Sequence, residues 1–266
     1  MIDNPRSPRA RAVARLLKRA ERRETGRFLL EGPQAVSEAL QYRPALVVDL
    51  FATESAAERH PELVQAARRA GIALELVTPR VLEAMSDTVT PQGVVAVARQ
   101  FPVALETVIG GAPKLVAVLE EVRDPGNAGT ILRAADAAGA DAVVFSGDSV
   151  DPYNPKVVRS TTGSLFHVPL VVGVELAEAT EALRGAGLQV LAADVSGEDL
   201  LSARPDLAAP TAWVFGNEAR GLDARRLALA DRAIRLPIYG RAESLNLATA
   251  ASVCLYESAF AQRARS

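Results

Sequence analysis

Three polar segments that contain glycine carry most of the residues able to do chemistry in this sequence. They are RDPGNAGTILR at 123–133, FGNEARGL at 215–222 and LPIYGRAESLN at 236–246. Their amide, carboxylate, hydroxyl and guanidinium groups are of the kinds that orient a ligand or a reacting hydroxyl. Each segment alone is also typical of an ordinary chain reversal. Their function therefore depends on whether the fold brings them together.

The first segment lies in a strand–turn–helix–strand pattern of the kind that often holds a nucleotide. Its glycines are Gly126 and Gly129, and no third glycine completes the G-x-G-x-x-G spacing of dinucleotide-binding turns. A nicotinamide-dependent dehydrogenase is therefore a remote alternative. Arg133 is predicted to lie one turn into the helix that follows.

The elements that must position these segments are apolar strands separated by helices over 114–266. Nearly continuous apolar runs such as LVAVL, AVVF and AWVF are typical of a parallel sheet covered on both faces. In open sheets of this class, ligands bind at the carboxyl ends of the strands. Each of the three segments follows a strand, so we expect all three to converge at one edge of a single α/β domain.

The N-terminal part of the chain predicts a second, smaller α/β domain over 1–103. RFLLEG at 27–32 reads as a strand ending at Gly32, and a helix with Pro33 in its first turn follows. Two prolines and a Gly-Gly pair in FPVALETVIGGAP predict a linker at 104–113. No internal repeat is evident.

Charge is distributed unevenly along the chain. The formal net charge is −2, so the whole protein is not a general polyanion binder. Yet residues 1–23 contain eight Arg or Lys and only two acidic residues. Such a basic arm predicts local contact with nucleic-acid phosphates, and a solvated helix face is the alternative. The candidate RNA-binding residues of the arm are Arg6, Arg9, Arg11, Arg22 and Arg23.

The cysteine and histidine content argues against a metal centre. Cys254 is the only cysteine, and His60 and His167 lie far apart without ligand-like spacing. We therefore expect no metal and no disulfide within the chain. No apolar run approaches the roughly 20 residues of a membrane span, and the N-terminus lacks a secretory apolar core. A cytoplasmic protein without a membrane partner is expected.

The closing helix, predicted from about Leu245 to Gln262, is apolar or small on almost every side. A helix with no polar stripe is buried on most of its faces. In a domain of this size, that pattern predicts burial within the fold together with a subunit interface. A helix buried only within its own chain is the alternative.

Taken in order, the three segments resemble the three motifs of the SpoU/TrmH family of RNA ribose 2′-O-methyltransferases, which use S-adenosylmethionine. The matching patterns are N-x-G-x-x-x-R at 127–133, G-N-E-x-x-G-L at 216–222 and L-P-I-x-G-x-x-x-S-L-N at 236–246. RRETGRFLLEGPQAVSEAL resembles the family's small ribosomal-protein-like substrate-binding domain. The resemblance implies a homodimer formed through the C-terminal domain, and a deep trefoil knot that periodicity would not predict.

The resemblance also implies roles for individual residues. Arg133 would act at the ribose 2′-hydroxyl. Because a guanidinium group stays protonated in proteins, we expect Arg133 to bind the adjacent phosphate and stabilise the alkoxide, rather than act as the base often described for the family. Asn127 would orient Arg133 or the ribose, and Glu218 would hold that arginine or meet the cofactor's amino group. The cofactor-binding residues would be Gly216, Asn217, Leu236, Ile238 and Leu245.

Further residues match the pattern with a simpler alternative role. Ser244 and Asn246 would complete the network on the hydroxyl side, although a helix-capping role for Ser244 is equally consistent with the sequence. Lys156 and Arg159 would add phosphate contacts, with surface solvation as the alternative for Lys156.

The predicted function is methylation of a ribose 2′-hydroxyl in 23S ribosomal RNA, with S-adenosylmethionine as methyl donor. A separate N-terminal domain favours a large structured RNA, because contacts on that scale select by shape. Transfer RNA is the alternative substrate, and a non-catalytic RNA-binding or ribosome-assembly protein of the same fold is the alternative class. The sequence does not identify the nucleotide or any role in antibiotic resistance.

Overall fold

The computed structural model describes residues 1–264, and it forms an α/β protein. In chain order the helices and strands are α1 (Pro8–Arg15), α2 (Arg19–Thr25), β1 (Arg27–Glu31), α3 (Pro33–Tyr42), β2 (Val47–Ala52), α4 (Glu54–Arg59), α5 (Pro61–Arg69), β3 (Leu74–Leu76), α6 (Pro79–Met85), β4 (Val94–Arg99), α7 (Leu105–Gly110), β5 (Leu115–Glu120), α8 (Pro125–Ala138), β6 (Ala142–Ser146), α9 (Pro155–Thr161), β7 (Leu170–Val174), α10 (Leu176–Gly185), β8 (Gln189–Asp199), α11 (Leu200–Ala203), β9 (Thr211–Phe215), α12 (Ala224–Leu227), β10 (Arg232–Arg235) and α13 (Leu247–Arg263).

Contacts between residues divide the chain into two compact units. The N-terminal unit comprises Met1–Phe101 together with Asp151–His167, and the C-terminal unit comprises Pro102–Val150 and the chain from Val168 onward. The 151–167 segment therefore packs with the N-terminal unit, although it lies between β6 and β7 in the chain. Sequence order alone predicts a C-terminal domain over 114–266, which would include it.

The N-terminal unit is built on a four-stranded mixed sheet in the order β1-β4-β2-β3. β4 is antiparallel to both β1 and β2, and β3 is parallel to β2. β1 confirms the strand predicted at 27–32. Gly32 follows it with φ of +89°, a conformation that side chains rarely adopt, and α3 begins immediately afterwards at Pro33.

Two buried contacts hold the 151–167 segment in the N-terminal unit. The ring of Tyr153 lies 4.8 Å from that of Phe28, and its hydroxyl accepts a hydrogen bond from the Phe101 N–H at 2.9 Å. Burial raises the pKa of the Tyr153 phenol. Asp151 accepts hydrogen bonds from the buried guanidinium of Arg22 at 2.8 and 2.7 Å. The segment thus supplies part of this unit's core.

The C-terminal unit is built on a six-stranded sheet, with every pairing parallel, in the order β10-β8-β9-β5-β6-β7. This confirms the parallel sheet predicted from the apolar runs. β5 and β9 lie in its middle and are buried along their whole length, so apart from Glu120 and Thr211 at their ends they are apolar instead of alternating. The trefoil knot stays a prediction from the family resemblance.

The stretch expected as a linker, 104–113, contains helix α7. Leu105 and Val108 lie three residues apart on one face of this helix and are buried in the core of the C-terminal unit. The helix ends at the Gly-Gly pair that suggested a flexible connection. Most of the stretch is therefore packed structure, because its two apolar residues have a sheet to pack against.

The closing helix α13 runs two residues later than its predicted start and packs against α8 and β9. Its small and apolar residues Ala251, Cys254 and Leu255 are buried, and Ser258 accepts a hydrogen bond from the Trp213 indole at 2.9 Å. The opposite face leaves apolar side chains exposed. Within residues 1–264, no helix is long and apolar enough to cross a membrane.

Candidate active site

The three polar segments meet at the carboxyl edge of the C-terminal sheet. The first follows β5, the second follows β9 and the third follows β10. β5 and β9 are neighbours, and β10 is separated from β9 only by β8. Because all of these strands are parallel, their following loops emerge on the same side. The predicted convergence of the three segments is confirmed by hydrogen bonds between them.

Glu218 joins the second segment to the first. One carboxylate oxygen accepts hydrogen bonds from the Asp124 N–H at 3.0 Å and from the Asn127 side-chain amide at 3.3 Å. The other oxygen accepts from the Arg123 N–H at 3.2 Å. A single carboxylate thus fixes the turn before α8, and both of its oxygens are occupied. It does not contact Arg133 in this arrangement.

Asn127 and Asn246 join the first segment to the third. The Asn246 amide nitrogen donates to the Asn127 side-chain oxygen at 3.0 Å. The Asn246 oxygen accepts from the Ala248 N–H at 2.9 Å and so caps α13. The capping role considered for Ser244 therefore belongs to Asn246. Glu218, Asn127 and Asn246 form one continuous chain of hydrogen bonds across all three segments.

Arg133 lies on the exposed side of α8. The helix begins at Pro125, so Arg133 lies about two turns into it, and the sequence prediction of one turn is wrong. The early start follows from Asp124, whose side chain caps the helix by accepting from the Asn127 N–H at 2.7 Å. Within residues 1–264, the Arg133 guanidinium makes no hydrogen bond or ion pair. It is available for a ligand.

Gly216 and Asn217 shape the second segment from within. The Asn217 amide donates to the Glu121 carbonyl at 2.8 Å, while its oxygen accepts from the Ala219 and Arg220 N–H groups at 3.1 and 3.2 Å. A Cβ at Gly216 would lie 2.7 Å from the Gly221 carbonyl carbon. The structure therefore requires glycine at 216, because the loop folds tightly on itself and leaves no room for a Cβ.

The same loop is tied to the end of β5 by an ion-pair cluster. Glu121 has φ of +50°, and its carboxylate accepts from Arg220 at 2.7 Å and from Arg226 at 3.0 Å. Arg226 also donates to the buried carboxylate of Glu120 at 2.6 Å, and that hydrogen bond is the main cause of its raised pKa. A hydrogen bond from the Arg226 N–H is the main reason that the pKa of Asp223 is lowered.

A cavity of about 380 Å³ opens beside these loops, within the size range of roughly 300–1,000 Å³ typical of small-molecule sites. Its lining combines apolar side chains with charged and polar ones. Gly216, Arg133, Asn127 and Asn246 are not part of its lining. The lining residues are Ala193, Asp194, Val195, Asn217, Glu218, Ala219, Arg220, Gly221, Ile234, Arg235, Leu236, Ile238, Ser244, Leu245, Leu247 and Ala250.

The family resemblance predicted six of the lining residues as site residues: Asn217, Glu218, Leu236, Ile238, Ser244 and Leu245. It missed the contribution of β8, which lines the cavity at 193–195. The available signal was the DVSG stretch that follows the apolar run LQVLAA, since it is a fourth glycine-containing polar segment after a strand. Because DVSG continues the apolar run LQVLAA, the sequence pattern predicted a longer strand there instead of a loop beside the cavity.

Arg22, predicted to bind RNA, is instead a buried structural residue. Only 1% of it is exposed. Besides its bonds to Asp151, it donates to the carbonyl oxygens of Leu16 and Leu17 at 2.8 and 2.9 Å. The prediction is wrong because the guanidinium serves to close the turn between α1 and α2 and to anchor the 151–167 segment.

Two other predicted phosphate-binding residues are engaged in ion pairs. Arg9 contacts Asp49 at 2.8 Å and Glu75 at 3.0 Å. Arg159 contacts the buried Glu31 at 3.2 Å and Asp87 at 2.8 Å. The remaining four are exposed, and no partner for their side-chain charge occurs among residues 1–264: Arg6, Arg11, Arg23 and Lys156.

Neither histidine is arranged for metal binding. His60 lies 3.2 Å from Glu62, and His167 lies 3.2 Å from Glu38. Cys254 is fully buried in α13, where burial raises the pKa of its thiol to about 12. In the described part of the chain, no group of three or more His, Cys, Asp or Glu side chains is placed to hold a metal ion.

Comparisons with known proteins agree with this site. A family model described as SpoU rRNA Methylase family matches residues 114–256, and one described as RNA 2′-O ribose methyltransferase substrate binding matches residues 29–104. The first range contains all three polar segments, and the second covers most of the N-terminal sheet.

Relatives match over nearly the full length. The 23S rRNA (guanosine(2553)-2′-O)-methyltransferase RlmP of Bacillus subtilis is 34% identical, over 96% of this chain and 97% of its own. The 23S rRNA (uridine(2479)-2′-O)-methyltransferase of Streptomyces viridochromogenes is 32% identical, over 92% and 86%. An AdoMet-bound rRNA methyltransferase from Sinorhizobium meliloti has a similar structure, with a TM-score of 0.82, 29% identity and coverage of 97% and 96%.

The matched ranges, the near-complete coverage by relatives and the joined motif loops lead to one assignment. This chain belongs to the SpoU rRNA methylase family of S-adenosylmethionine-dependent RNA 2′-O-methyltransferases, and it carries that family's substrate-binding domain.

Proposed function

We propose that this protein methylates a ribose 2′-hydroxyl of 23S ribosomal RNA, with S-adenosylmethionine as donor. The observation that carries the proposal is the hydrogen-bonded chain of Glu218, Asn127 and Asn246 beside the 380 Å³ cavity. It unites the three motif segments of the family in one place. Relatives of similar length are named for the same reaction on 23S rRNA.

The cavity is the proposed cofactor site. S-adenosylmethionine, when bound, supplies an electrophilic methyl carbon on its sulfonium sulfur. The apolar side chains of Leu236, Ile238 and Leu245 line the cavity and offer a surface against which an adenine ring would pack. Asn217 lines the cavity directly, whereas Gly216 acts indirectly in this proposal, because it allows the tight loop that carries residues 217–221 of the lining.

Arg133 is the proposed contact to the acceptor nucleotide. Its exposed guanidinium has no partner within residues 1–264, so no ion pair must be broken before it binds a phosphate. A bidentate grip on the phosphate next to the reacting ribose would place that hydroxyl and stabilise the negative charge that develops on its oxygen. Ser244, which lines the cavity without a hydrogen-bond partner within that range, is the proposed polar neighbour on the hydroxyl side.

The proposed RNA-contacting surface of the N-terminal unit consists of exposed cations that have no acidic partner among the described residues, 1–264. Arg6, Arg11 and Arg23 are exposed in the basic arm, and Lys156 is exposed on α9. Such side chains neutralise phosphates and release counterions, which makes binding salt-dependent. Arg9 and Arg159 would have to break their ion pairs before they could bind a phosphate, so we propose that they contribute less to RNA binding.

The proposed biological unit is a homodimer formed through α13. Val253, Tyr256 and Phe260 lie on one face of this helix, and they are 39%, 36% and 61% exposed. An apolar stripe of this kind on a soluble surface is unfavourable unless another surface covers it. A second copy of the chain is the proposed cover.

The trefoil knot and a cytoplasmic location, where ribosomal RNA is accessible, belong to the same proposal.

The test is methyl transfer in vitro. The purified protein is incubated with tritiated S-adenosylmethionine and with separated 23S, 16S and transfer RNA from a strain that lacks the corresponding gene. We expect label in 23S RNA, in a dinucleotide that resists alkaline hydrolysis because its 2′-oxygen is methylated. Label in transfer RNA alone would redirect the proposal to that substrate. Cofactor binding without transfer to any RNA would favour a non-catalytic RNA-binding protein.

A further inference from the structure

A five-residue bulge in β8 brings an acidic side chain into the proposed cofactor cavity. β10 pairs with β8 at Leu191 and Ala192 and then resumes pairing at Glu198, so residues 193–197 leave the ladder. A Cβ at Gly197 would overlap the Ala233 carbonyl, so only glycine allows the two backbones to approach this closely. The bulge turns Asp194 toward the cavity lining.

The Asp194 carboxylate is held on one side only. Its Oδ1 accepts hydrogen bonds from the Ser196 N–H at 2.9 Å and from the Ser196 hydroxyl at 2.6 Å. Its Oδ2 has no hydrogen-bond partner within residues 1–264, and a Cβ built on Gly221 would lie 3.7 Å from it. The side chain is thus oriented by Ser196, with the second oxygen available beside the 217–221 loop.

The other carboxylate of the lining is already occupied. Glu218 accepts three hydrogen bonds through its two oxygens from the first polar segment. The sequence offers Glu218 as one candidate for the cofactor's amino group, but engaging it would cost those bonds. Asp194 is therefore the carboxylate of this cavity that can accept a charged donor without giving up an existing contact.

The charges of the lining match the two ends of an amino acid. Arg235 lines the cavity with a side chain that is 53% exposed, and its guanidinium lies 3.9 Å from the Asp199 carboxylate. We propose that Asp194 binds the α-ammonium group of S-adenosylmethionine, and that Arg235 faces its α-carboxylate. The inference rests on the proposed cofactor site and names the residue that recognises the amino-acid part of the ligand. A charge-assisted hydrogen bond of this kind is among the stronger polar contacts.

The test compares two ligands on the full-length protein by calorimetry. S-adenosylhomocysteine retains the α-ammonium group, whereas 5′-methylthioadenosine keeps the nucleoside and lacks the amino-acid part. We expect Asp194→Asn to raise the Kd for S-adenosylhomocysteine about tenfold or more, and to leave that for 5′-methylthioadenosine within about twofold. A deaminated analogue of S-adenosylhomocysteine should bind wild type and variant equally.

Two further variants separate recognition from structure. Ser196→Ala keeps the Asp194 charge but removes a hydroxyl that orients it, so we expect a smaller loss, again confined to S-adenosylhomocysteine. Glu178→Gln removes one exposed negative charge from α10 in the same unit, away from the cavity lining, and should change neither affinity. Thermal denaturation of each variant confirms that it is folded.

The outcomes distinguish this inference from the proposed function. Equal losses for both ligands in Asp194→Asn would overturn it, because they would place the carboxylate at the nucleoside or in the loop's own structure. Unchanged affinity for both would overturn it as well, with the cofactor site intact. Failure of the wild-type protein to bind S-adenosylhomocysteine would instead contradict the proposed function.

Discussion

The Asn246 side-chain nitrogen donates to the Asn127 side-chain oxygen at 3.0 Å, across 119 positions of the chain. One end of this bond lies in the first turn of α8, and the other caps α13. Since Asn127 also donates to Glu218, the bond makes the start of α13 part of the same network as the turn after β5. The proposed site therefore depends on the position of a helix terminus.

Asn246→Asp should distinguish the two roles of Asn246, which are the hydrogen bond to Asn127 and the N-cap of α13. Aspartate keeps a capping oxygen for the Ala248 N–H but replaces the donor to Asn127 with a second acceptor. We expect methyl transfer to fall substantially, with a thermal midpoint close to that of wild type. Asn246→Ala should lower both the methyl-transfer rate and the thermal midpoint. The midpoint falls because loss of an N-cap costs about 0.5–2 kcal/mol. Full activity in the aspartate variant would show that the bond to Asn127 is dispensable.

Arg133→Ala should abolish transfer and leave the cofactor site intact. Removing one preorganised donor from a developing oxyanion lowers kcat by roughly 10²–10³-fold. Because Arg133 does not line the cavity, we expect the Kd for S-adenosylhomocysteine to stay within about twofold of wild type. Arg133→Lys keeps the charge without the planar fork and should recover only part of the rate. A large loss of cofactor affinity would contradict the assignment to the acceptor side.

Arg22 and Arg23 are adjacent in sequence and should behave in opposite ways. Arg22→Ala leaves Asp151 without its buried partner, and we expect a loss of about 3–5 kcal/mol in the free energy of unfolding. Arg23→Ala should leave stability nearly unchanged, because this side chain is exposed. Chemical denaturation measures both.

RNA binding is the second property in which Arg23 is expected to differ from the structural residue Arg22. Filter binding to a 23S fragment at several salt concentrations should show weaker binding for Arg23→Ala, with a salt dependence reduced by about one phosphate contact. Identical affinity and salt dependence for Arg23→Ala and wild type would remove this residue from the proposed RNA surface.

Gly216→Ala should disturb the loop that carries part of the cavity lining. Its Cβ would lie 2.7 Å from both the Gly221 carbonyl carbon and the Leu222 side chain, and overpacking of this kind costs about 1–3 kcal/mol. We expect the variant to stay folded but to bind the cofactor more weakly than wild type does. Gly185→Ala, at the end of α10 and outside the three segments, is the matched control, since a Cβ there meets nothing within 4 Å beyond its own helix. Equal cofactor affinity in the two variants would refute the role given to Gly216.

Phe260→Glu should shift the protein from dimer to monomer. A charge at this exposed position of α13 would be buried without a partner in the proposed interface. Leu201→Glu, at an apolar side chain of α11 that is 52% exposed, is the control and should leave the dimer intact. Light scattering coupled to size-exclusion chromatography gives the mass of each. A monomeric wild-type protein at micromolar concentration would argue against the dimer.

Several features of the fold follow from local sequence patterns. Continuous apolar runs such as LVAVL and AWVF form the buried centre of the parallel sheet, because strands covered on both faces carry no polar alternation. Parallel strands place their following loops at one edge, so the meeting of 123–133, 215–222 and 236–246 was predictable. Their motif spacing was enough to indicate the family, because it combines glycine, asparagine, glutamate and serine in a fixed order.

Other features were decided by tertiary structure. Two adjacent arginines, Arg22 and Arg23, have the same chemistry in the sequence, and only the packing of Asp151 against one of them makes it a buried structural residue. Likewise, Asp194 reads as part of a strand until the pairing of β10 with β8 expels residues 193–197 from the ladder. Local sequence determines which elements form and where loops begin, because those depend on nearby residues. The partner of each charge depends on contacts between distant segments, which only the folded chain brings together.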